Sequence, residues 1–235
     1  IFKNFNLCLT SNKETIKYLN ELGANNIKFL GNLKYSQSEN ENVNLNNSLE
    51  KFLLSKKTWC ASSTHFNEEI FCGEVHKKLK KKYKNLLTII IPRHINRADE
   101  IKNDFKKLKL KIHMHESKLR PKDDIDIYIV NSYGKTKSFF NYCKNVFLGG
   151  SLISHGGQNP LEAARYGCNI IHGPHIQNFK EIYDFLKKNK ISQKINNEKQ
   201  ILNLLNKNFS KIANTKIIQK KLDYIGQKIL KNTLK

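Results

Sequence analysis

Apolar segments and segments with helical periodicity alternate along most of the chain. The run 86–91 is continuous, apolar and rich in β-branched residues, which is typical of a strand buried on both faces of a parallel sheet. Other short apolar segments predict strands at 27–30, 58–61, 111–115, 126–130, 146–148 and 168–171. Strands that alternate with helices predict an α/β fold with a doubly wound parallel sheet.

Amphipathic stretches predict the helices between these strands. The first helix has Ser11 or Asn12 as its cap, and the second has Glu68 and Glu69 in its first turn, where carboxylates suit the positive end of the helix dipole. Beyond Phe179 the sequence predicts helices and no strand. The predicted helices span about 12–22, 66–83, 97–108, a short segment through 139 and 140, about 160–166, 178–188, 198–207 and 211–231.

The stretch 145–174 predicts a strand, a glycine-rich loop, a helix and a second strand in direct succession. Asn159 is the predicted N-cap, Pro160 suits the first helical position, and Glu162 lies three residues after the cap, as in a capping box. Gly167 is predicted to end this helix. The result is a βαβ unit.

The glycines in this unit predict a candidate phosphate site. Glycine lets a ligand approach the backbone, and the helix N-terminus offers free N–H groups and the positive end of its dipole. Glycines after a strand also occur in α/β proteins that bind no ligand, so the spacing alone leaves both interpretations open.

Polar and glycine-rich clusters follow the predicted strands. In open parallel sheets, ligands bind in the crevice outside the carboxyl ends of the strands. The convergence of several clusters on that edge is stronger evidence for a binding site than any single motif. The clusters occupy residues 62–65, 92–94, 131–135, 149–162 and 173–175.

The chain of 235 residues is strongly basic, with 42 Lys and Arg against 20 Asp and Glu and a net charge of +22. This balance is compatible with nucleic acid, an anionic membrane surface or a phosphorylated substrate as a partner. The excess is nearly all Lys, is spread along the chain and accompanies many Asn and Ile. The charge alone is therefore weak evidence for any of these partners. The sequence contains no RNA-binding aromatic motif, no zinc-finger spacing and no His, Asp and Glu cluster with metal-site spacing.

The cysteines are odd in number and scattered, without C-x-x-C pairs, and predict buried thiols in a reducing compartment. No apolar run approaches the roughly 20 residues that span a bilayer, and no signal-peptide pattern opens the chain. We expect a soluble chain. Because it begins at Ile1 in the middle of an α/β pattern, we also expect it to be a piece of a longer protein.

The run GGSLISHGGQNPLEAARYG, followed by Gly173-Pro174-His175 and by Asn178-Phe179, resembles the C-terminal signature of 3-deoxy-D-manno-octulosonic acid (Kdo) transferases. In that family G-G-H-N-P-x-E precedes G-P-x-x-x-N-F, and Gln158 stands where the family usually has His. The segments 22–24 and 31–35 resemble the end of the family's N-terminal domain.

The resemblance implies a GT-B glycosyltransferase, with two facing α/β domains of which the C-terminal one holds the donor nucleotide. Residues 1–35 would be the end of the N-terminal acceptor domain and 36–49 a linker, for which an ordinary surface loop is the alternative. Residues 50–235 would be the C-terminal CMP-Kdo-binding domain with its C-terminal helices.

The resemblance assigns Pro92 and Arg93 to the cytidine nucleotide. Arg93 follows a buried strand, where its planar guanidinium can bind two oxygens of a phosphate. A surface ion pair with Asp99 or Glu100 is the alternative. His94 either shuttles a proton or forms part of the crevice wall.

The next cluster departs from the family pattern D-x-x-G-E. Gly134 keeps the close approach of the backbone, but Lys135 replaces a carboxylate, which puts the role of its side chain in doubt. Tyr133 either stacks on the base or packs against the protein.

The resemblance also assigns Asn159, Pro160, Leu161 and Glu162 to cytidine monophosphate (CMP). Glu162 has two competing roles, the helix cap and a pair of ribose hydroxyls. The remaining histidines of this region, at positions 155 and 172, are isolated in the sequence and are expected to be packed or surface residues.

The implied reaction transfers Kdo from CMP-Kdo to the lipid A precursor at the cytoplasmic face of the bacterial inner membrane, without a metal or cofactor. The family's catalytic base is an acidic residue of the N-terminal domain, so we expect this chain to bind the donor without catalysing transfer alone. A GT-B enzyme that uses a UDP- or GDP-sugar is the first alternative. A basic nucleic-acid-binding module is the second, and it would leave the strand-end clusters unexplained.

Overall fold

The computed structural model describes residues 1–36, 45–116, 120–210 and 215–234, with the side chains of 215–218 left aside. The chain divides into two compact units, Ile1–Asn40 with Lys216–Lys235 and Glu41–Thr215.

The first unit contains a two-stranded parallel sheet, strand β1 (Cys8–Thr10) with strand β2 (Ile27–Phe29), joined by helix α1 (Lys13–Glu21). Asn12 caps α1 as predicted, because its Oδ1 accepts the N–H of Thr15 at 2.8 Å. The long C-terminal helix, α9 (Thr215–Thr233), lies almost entirely in this unit.

The second unit is built on a seven-stranded sheet in which every pair of neighbouring strands is parallel, in the order β5-β6-β4-β3-β7-β8-β9. The predicted α/β fold with a doubly wound parallel sheet is confirmed. The strands are β3 (Lys57–Thr64), β4 (Leu86–Pro92), β5 (Ile112–Met114), β6 (Ile127–Ile129), β7 (Asn145–Leu148), β8 (Asn169–His172) and β9 (Ser192–Lys194).

Helices precede, connect or follow these strands. They are α2 (Asn47–Leu54), α3 (Glu68–Lys80), α4 (Ala98–Lys107), α5 (Thr136–Phe140), α6 (Leu161–Arg165), α7 (Lys180–Lys188) and α8 (Glu198–Asn208). The core lies between the sheet and the apolar faces of α3, α4 and α8, around Trp59 and Phe105. Strand β4 is buried at every position, as its continuous apolar run predicted.

Two boundaries differ from the prediction. Strand β3 extends to Thr64 through an irregularity at Ser63, whose φ is +54°, so most of the predicted loop 62–65 is strand. Residues 47–49 of the predicted linker form the first turn of α2, capped by Asn46. Residues 37–44 of that linker and 211–214 of the last predicted helix lie outside the described residues.

The prediction that no strand follows Phe179 is wrong. Strand β9 pairs in parallel with β8 at the edge of the sheet. Its sequence, Ser-Gln-Lys, is short and polar, because an edge strand is paired along one side and only partly buried. Such a segment has no apolar run that would reveal it.

Four of the five cysteines are buried and all are free thiols, while Cys8 is half-buried. Within the described residues, no helix is long and apolar enough to cross a membrane. The same residues contain no group of three or more His, Cys, Asp or Glu arranged to hold a metal ion.

Candidate functional site at the carboxyl edge of the sheet

The predicted strand-end clusters lie on five neighbouring strands. They end or follow β6, β4, β3, β7 and β8, which are consecutive in the sheet. After β6 the chain returns across β4 and β3 to form β7 on the other side of β3. The direction of winding therefore reverses between β3 and β7, which is where open α/β sheets bind their ligands.

A buried carboxylate joins the two strands at this reversal. Glu68, the first residue of α3, is 1% exposed. Its Oε2 accepts the N–H groups of His65 at 3.0 Å and Gly150 at 2.7 Å, and its Oε1 accepts those of Ser151 at 3.1 Å and Leu152 at 3.0 Å. The side chain thereby ties the loop after β7 to the end of β3.

These contacts correct the predicted phosphate site in the glycine loop. The N–H groups of residues 150–152 bind Glu68, that of Gly149 donates to Ser62 O at 2.9 Å, and that of Gly157 donates to Gly150 O at 2.8 Å. These five backbone donors are thus used within the protein and do not face an anion.

Close packing, rather than ligand access, explains why glycine occupies this loop. A Cβ atom at Gly149 would overlap the carbonyl oxygen of Ser63 and lie 2.6 Å from Thr64 Cα. A Cβ atom at Gly173 would overlap the backbone of Ser151, whose Oγ accepts the N–H of Gly173 at 2.8 Å. The loops after β7 and β8 are therefore packed backbone against backbone.

Helix α6 begins at Leu161, one residue later than predicted, so Pro160 is the N-cap and Glu162 is the second helical residue. The predicted capping box is wrong in this detail, although Asn159 Oδ1 does accept the N–H of Leu161 at 3.1 Å. Asn159 and Glu162 are half-buried, and the two residues between them are buried. Gly167 ends the helix with a φ of +70°, as predicted.

Pro92 is the buried last residue of β4, and the side chain of Arg93 is exposed. The alternative surface pair is not formed, because Glu100 binds Arg97, with Nε 3.4 Å from Oε2. Arg97 also binds the buried Glu69 at 3.0 Å. Among the described residues Arg93 has no ion-pair partner.

Three histidines gather beside Arg93. The ring of His65 lies 4.2 Å from that of His155 and 5.9 Å from that of His94, edge to face in the second case. Gln158 Nε2 lies 3.4 Å from His65 Nε2. His155 is exposed, in agreement with the expectation of a packed or surface residue, and its ring partner His65 is 90 residues away in the sequence.

The charged groups that act on His65 in this cluster are all positive or protonatable. Burial, together with the positive or protonatable groups of His155, His94, Arg93 and Arg97, lowers the pKa of His65 to about 4. His172 is apart from this cluster. It is buried, its Nδ1 lies 2.7 Å from Gly173 O, and its ring lies 4.4 Å from that of Tyr183.

The loop after β6 leaves its side chains accessible. Tyr133 is 73% exposed, which excludes the alternative that it packs against the described part of the chain. Gly134 has a φ of +74° and open space around its Cα. Lys135 is half-buried directly before α5, and its charge contributes to the lowered pKa of His115.

Sequence reasoning missed the connecting residues of the site. Glu68 was interpreted as an ordinary acidic residue of a first helical turn, and Ser151 was not singled out. A carboxylate at a helix start gives no local sign that it will be buried. The one available signal was its position three residues after a strand-end cluster.

Comparisons with known proteins agree with this geometry. No family model matches the chain. A Kdo transferase of Rickettsia bellii is 31% identical over 209 residues, 87% of this chain and 49% of that protein. The Kdo transferase of Haemophilus influenzae is 30% identical over 162 residues, 68% of this chain and 38% of that protein. That of Aquifex aeolicus is 25% identical over 95% of this chain and 60% of its own length. The chain spans about half the length of the curated relatives that it matches.

Solved structures show the same fold. The C-terminal CMP-Kdo binding domain of WaaA from Acinetobacter baumannii superposes with a TM-score of 0.65 at 22% identity, over 77% of this chain and 93% of that domain. Anabaena HepE in complex with UDP-glucose gives a TM-score of 0.55 at 10% identity, over 97% of this chain and 63% of that protein. The fold is that of the C-terminal domain of GT-B glycosyltransferases.

Proposed function

Because the chain is homologous to the Kdo transferases, which are glycosyltransferases, we propose that it binds CMP-Kdo as the donor-binding part of such an enzyme. The observation that supports this proposal most directly is the position of the strand-end clusters. They lie on five consecutive strands around the reversal between β3 and β7, where doubly wound sheets bind nucleotides.

Arg93 is the proposed ligand of the leaving phosphate. Its exposed guanidinium has no ion pair among the described residues, so no internal bond has to be broken before an anion binds. Beside Arg93, Pro92 forms part of the wall of the nucleotide site, and Tyr133 stacks on the cytosine. The backbone of Gly134 and Lys135 contacts the nucleotide. The exposure of Tyr133 and the open space at Gly134 support these last assignments.

Asn159, Pro160, Leu161 and Glu162 are the proposed contacts to the rest of CMP. The half-buried carboxylate of Glu162 binds the ribose hydroxyls in this proposal, since carboxylates accept hydrogen bonds from both. Asn159 holds the start of α6 through Leu161 and thereby orients Glu162.

In the proposed reaction a hydroxyl of the acceptor displaces CMP at the anomeric carbon of Kdo. The bond between this anomeric carbon and the phosphate oxygen of CMP breaks, and negative charge develops on the leaving phosphate. Arg93 stabilises that charge, and a donor aimed at developing charge lowers the barrier rather than only strengthening binding.

The lipid A precursor is the proposed acceptor, at the cytoplasmic face of the bacterial inner membrane. The net charge of +22 is compatible with this location, because basic surfaces are attracted to anionic lipid headgroups. Transfer itself is assigned to the complete enzyme, since the chain spans about half of its relatives.

Calorimetric titration with CMP, UMP and GMP tests the proposal. We expect CMP to bind most tightly. Arg93→Ala and Glu162→Ala should each weaken CMP binding about tenfold or more, because each removes charge-assisted hydrogen bonds. Arg120→Ala and Glu181→Ala are matched controls at exposed positions and should leave the affinity unchanged.

A preference for UMP or GMP would contradict the Kdo assignment and favour a GT-B enzyme that uses a UDP- or GDP-sugar. Equal loss of affinity in Arg120→Ala and Arg93→Ala would show that net charge, and not the proposed site, binds the nucleotide. Tight, salt-sensitive binding to single-stranded or duplex nucleic acid instead of CMP would favour the nucleic-acid module.

A further inference from the structure

Three histidine rings meet at the reversal between β3 and β7, and the charge of Arg93 acts on one of them, His65. His65 comes from the end of β3, Arg93 and His94 follow β4, and His155 lies in the loop after β7. We call these four residues the basic cluster. His65 is nearly buried, whereas the other three are exposed to solvent.

The nearby carboxylates do not neutralise the basic cluster. Glu68 directs both oxygens at four backbone N–H groups, and Glu69 is bound by Arg97. The charged groups that act on His65 are Arg93 and His94 after β4, Arg97 before α4, and His155 after β7, and all of them disfavour its protonation.

The N–H groups of residues 150–152 do not supply an alternative anion site in this loop. Glu68 occupies the concave array of N–H groups at residues 150–152, which in other proteins is a typical position for a phosphate. An anion that enters the crevice between β3 and β7 is therefore met by side chains.

We propose that the basic cluster is an oxyanion site of the nucleotide-sugar donor and that His65 takes up a proton when the anion binds. The identity of the donor rests on the proposed function, whereas the anion site does not. CMP-Kdo carries two oxyanions, the phosphate and the carboxylate of the sugar acid, and imidazolium and guanidinium groups bind either one.

The proton uptake follows because anion binding and the protonation of His65 are thermodynamically linked. In the free protein burial and neighbouring cations hold the pKa of His65 at about 4, so its imidazole is neutral at neutral pH. An anion among the four side chains favours the protonated form and moves the pKa back toward the ordinary value of 6.5. The affinity for an anion of constant charge should therefore rise as the pH falls through this range.

Nuclear magnetic resonance of the imidazole groups in the 235-residue chain tests this proposal. The titrants are sulfate, whose charge is constant near neutral pH, CMP, cytidine and free Kdo. We expect saturating sulfate to shift the resonances of His65, His94 and His155 and to raise the pKa of His65. A shift with CMP but not with cytidine or Kdo assigns the site to the phosphate. A shift with Kdo assigns it to the carboxylate.

Three variants control the experiment. His155→Gln and His65→Gln should each weaken sulfate binding about tenfold, because each removes one charge-assisted hydrogen bond. His155 is exposed, so its replacement tests the site even if the His65 variant unfolds. His113→Gln changes a half-buried histidine of β5 outside the basic cluster and should bind sulfate like the unmodified chain.

Different results would overturn the oxyanion site and the assignment of the donor. Binding of CMP without any change at the three histidines would overturn the oxyanion site and leave the donor assignment standing. Binding of sulfate at the histidines together with a preference for UMP or GMP would support the oxyanion site and overturn the donor assignment. No perturbation by sulfate, CMP or Kdo would overturn the oxyanion site.

Discussion

Glu68 illustrates how one buried side chain can position a loop of the candidate site. Its carboxylate is buried and forms no ion pair among the described residues, yet four N–H groups point at its two oxygens. Hydrogen bonds to a charged acceptor are stronger than neutral ones, and here they replace the lost hydration of the carboxylate. The position of the loop that carries His155 thus depends on a residue of another element.

We expect Glu68→Gln to reduce the free energy of unfolding by about 2–4 kcal/mol, since the amide loses the negative charge and turns an NH₂ group toward backbone donors. Urea denaturation measures this loss. Glu74→Gln is the matched control on the exposed side of the same helix, where the pair with Lys77 is solvated. Its expected effect is below about 0.5 kcal/mol. Equal stability of the two variants would contradict the anchoring role of Glu68.

At the scale of elements, the ends of β3 and β7 meet without space for an additional atom. The two strands pair from Cys60 with Val146 to Ser62 with Leu148, and the N–H of Gly149 continues this pairing with Ser62 O. The crevice therefore begins where the paired strands end, and its floor is formed by backbone atoms.

Gly149→Ala tests that packing. The new Cβ would meet backbone atoms of Ser63 and Thr64, which cannot move without shifting β3, so we expect a loss of about 3 kcal/mol in the free energy of unfolding. Gly134→Ala is the contrasting change, because its Cβ meets nothing and only the positive φ is unfavourable. Its expected loss is about 1 kcal/mol. Urea denaturation compares the two, and a larger loss for Gly134→Ala would refute this account of the crevice floor.

At the scale of the whole molecule, several histidines are neutral in the folded protein. Burial lowers the pKa of each, and His76 is an example, with Nδ1 2.8 Å from Thr88 Oγ1 and Nε2 3.3 Å from Asp126 Oδ1. Burial raises the pKa of Asp126, but hydrogen bonds from His76, the Lys111 N–H and Lys80 outweigh it and hold the pKa at about 2. The other histidines with a lowered pKa are His65, His113, His115 and His172.

We therefore expect the free energy of unfolding to fall in acid. A histidine with a lowered folded pKa contributes its full stability above the ordinary value of 6.5 and loses it as the pH falls. Asp126 contributes above its ordinary value of 3.8 and loses its contribution as the pH falls toward about 2. Urea denaturation between about pH 8 and about pH 4 measures the part of this dependence that comes from the histidines. Constant or rising stability on acidification would contradict the neutral state of these histidines.

Properties that depend on neighbouring residues were predictable. The apolar run of β4 predicted its complete burial, and Gly167 predicted the end of α6, because periodicity and backbone preference are local. The positions of the strand-end clusters followed in turn, since parallel strands joined by helices must all end at one edge of the sheet.

Contacts between remote residues were not predictable. Gly150 and Glu68 are 82 positions apart, and Gln158 and His65 are 93 apart, so neither pair leaves a pattern in any local window. Their meeting depends on the sheet order, which places β7 beside β3. Hydrophobic periodicity decides which segments are strands, but only the packing of the whole sheet decides which loops become neighbours, and so which side chains share a site.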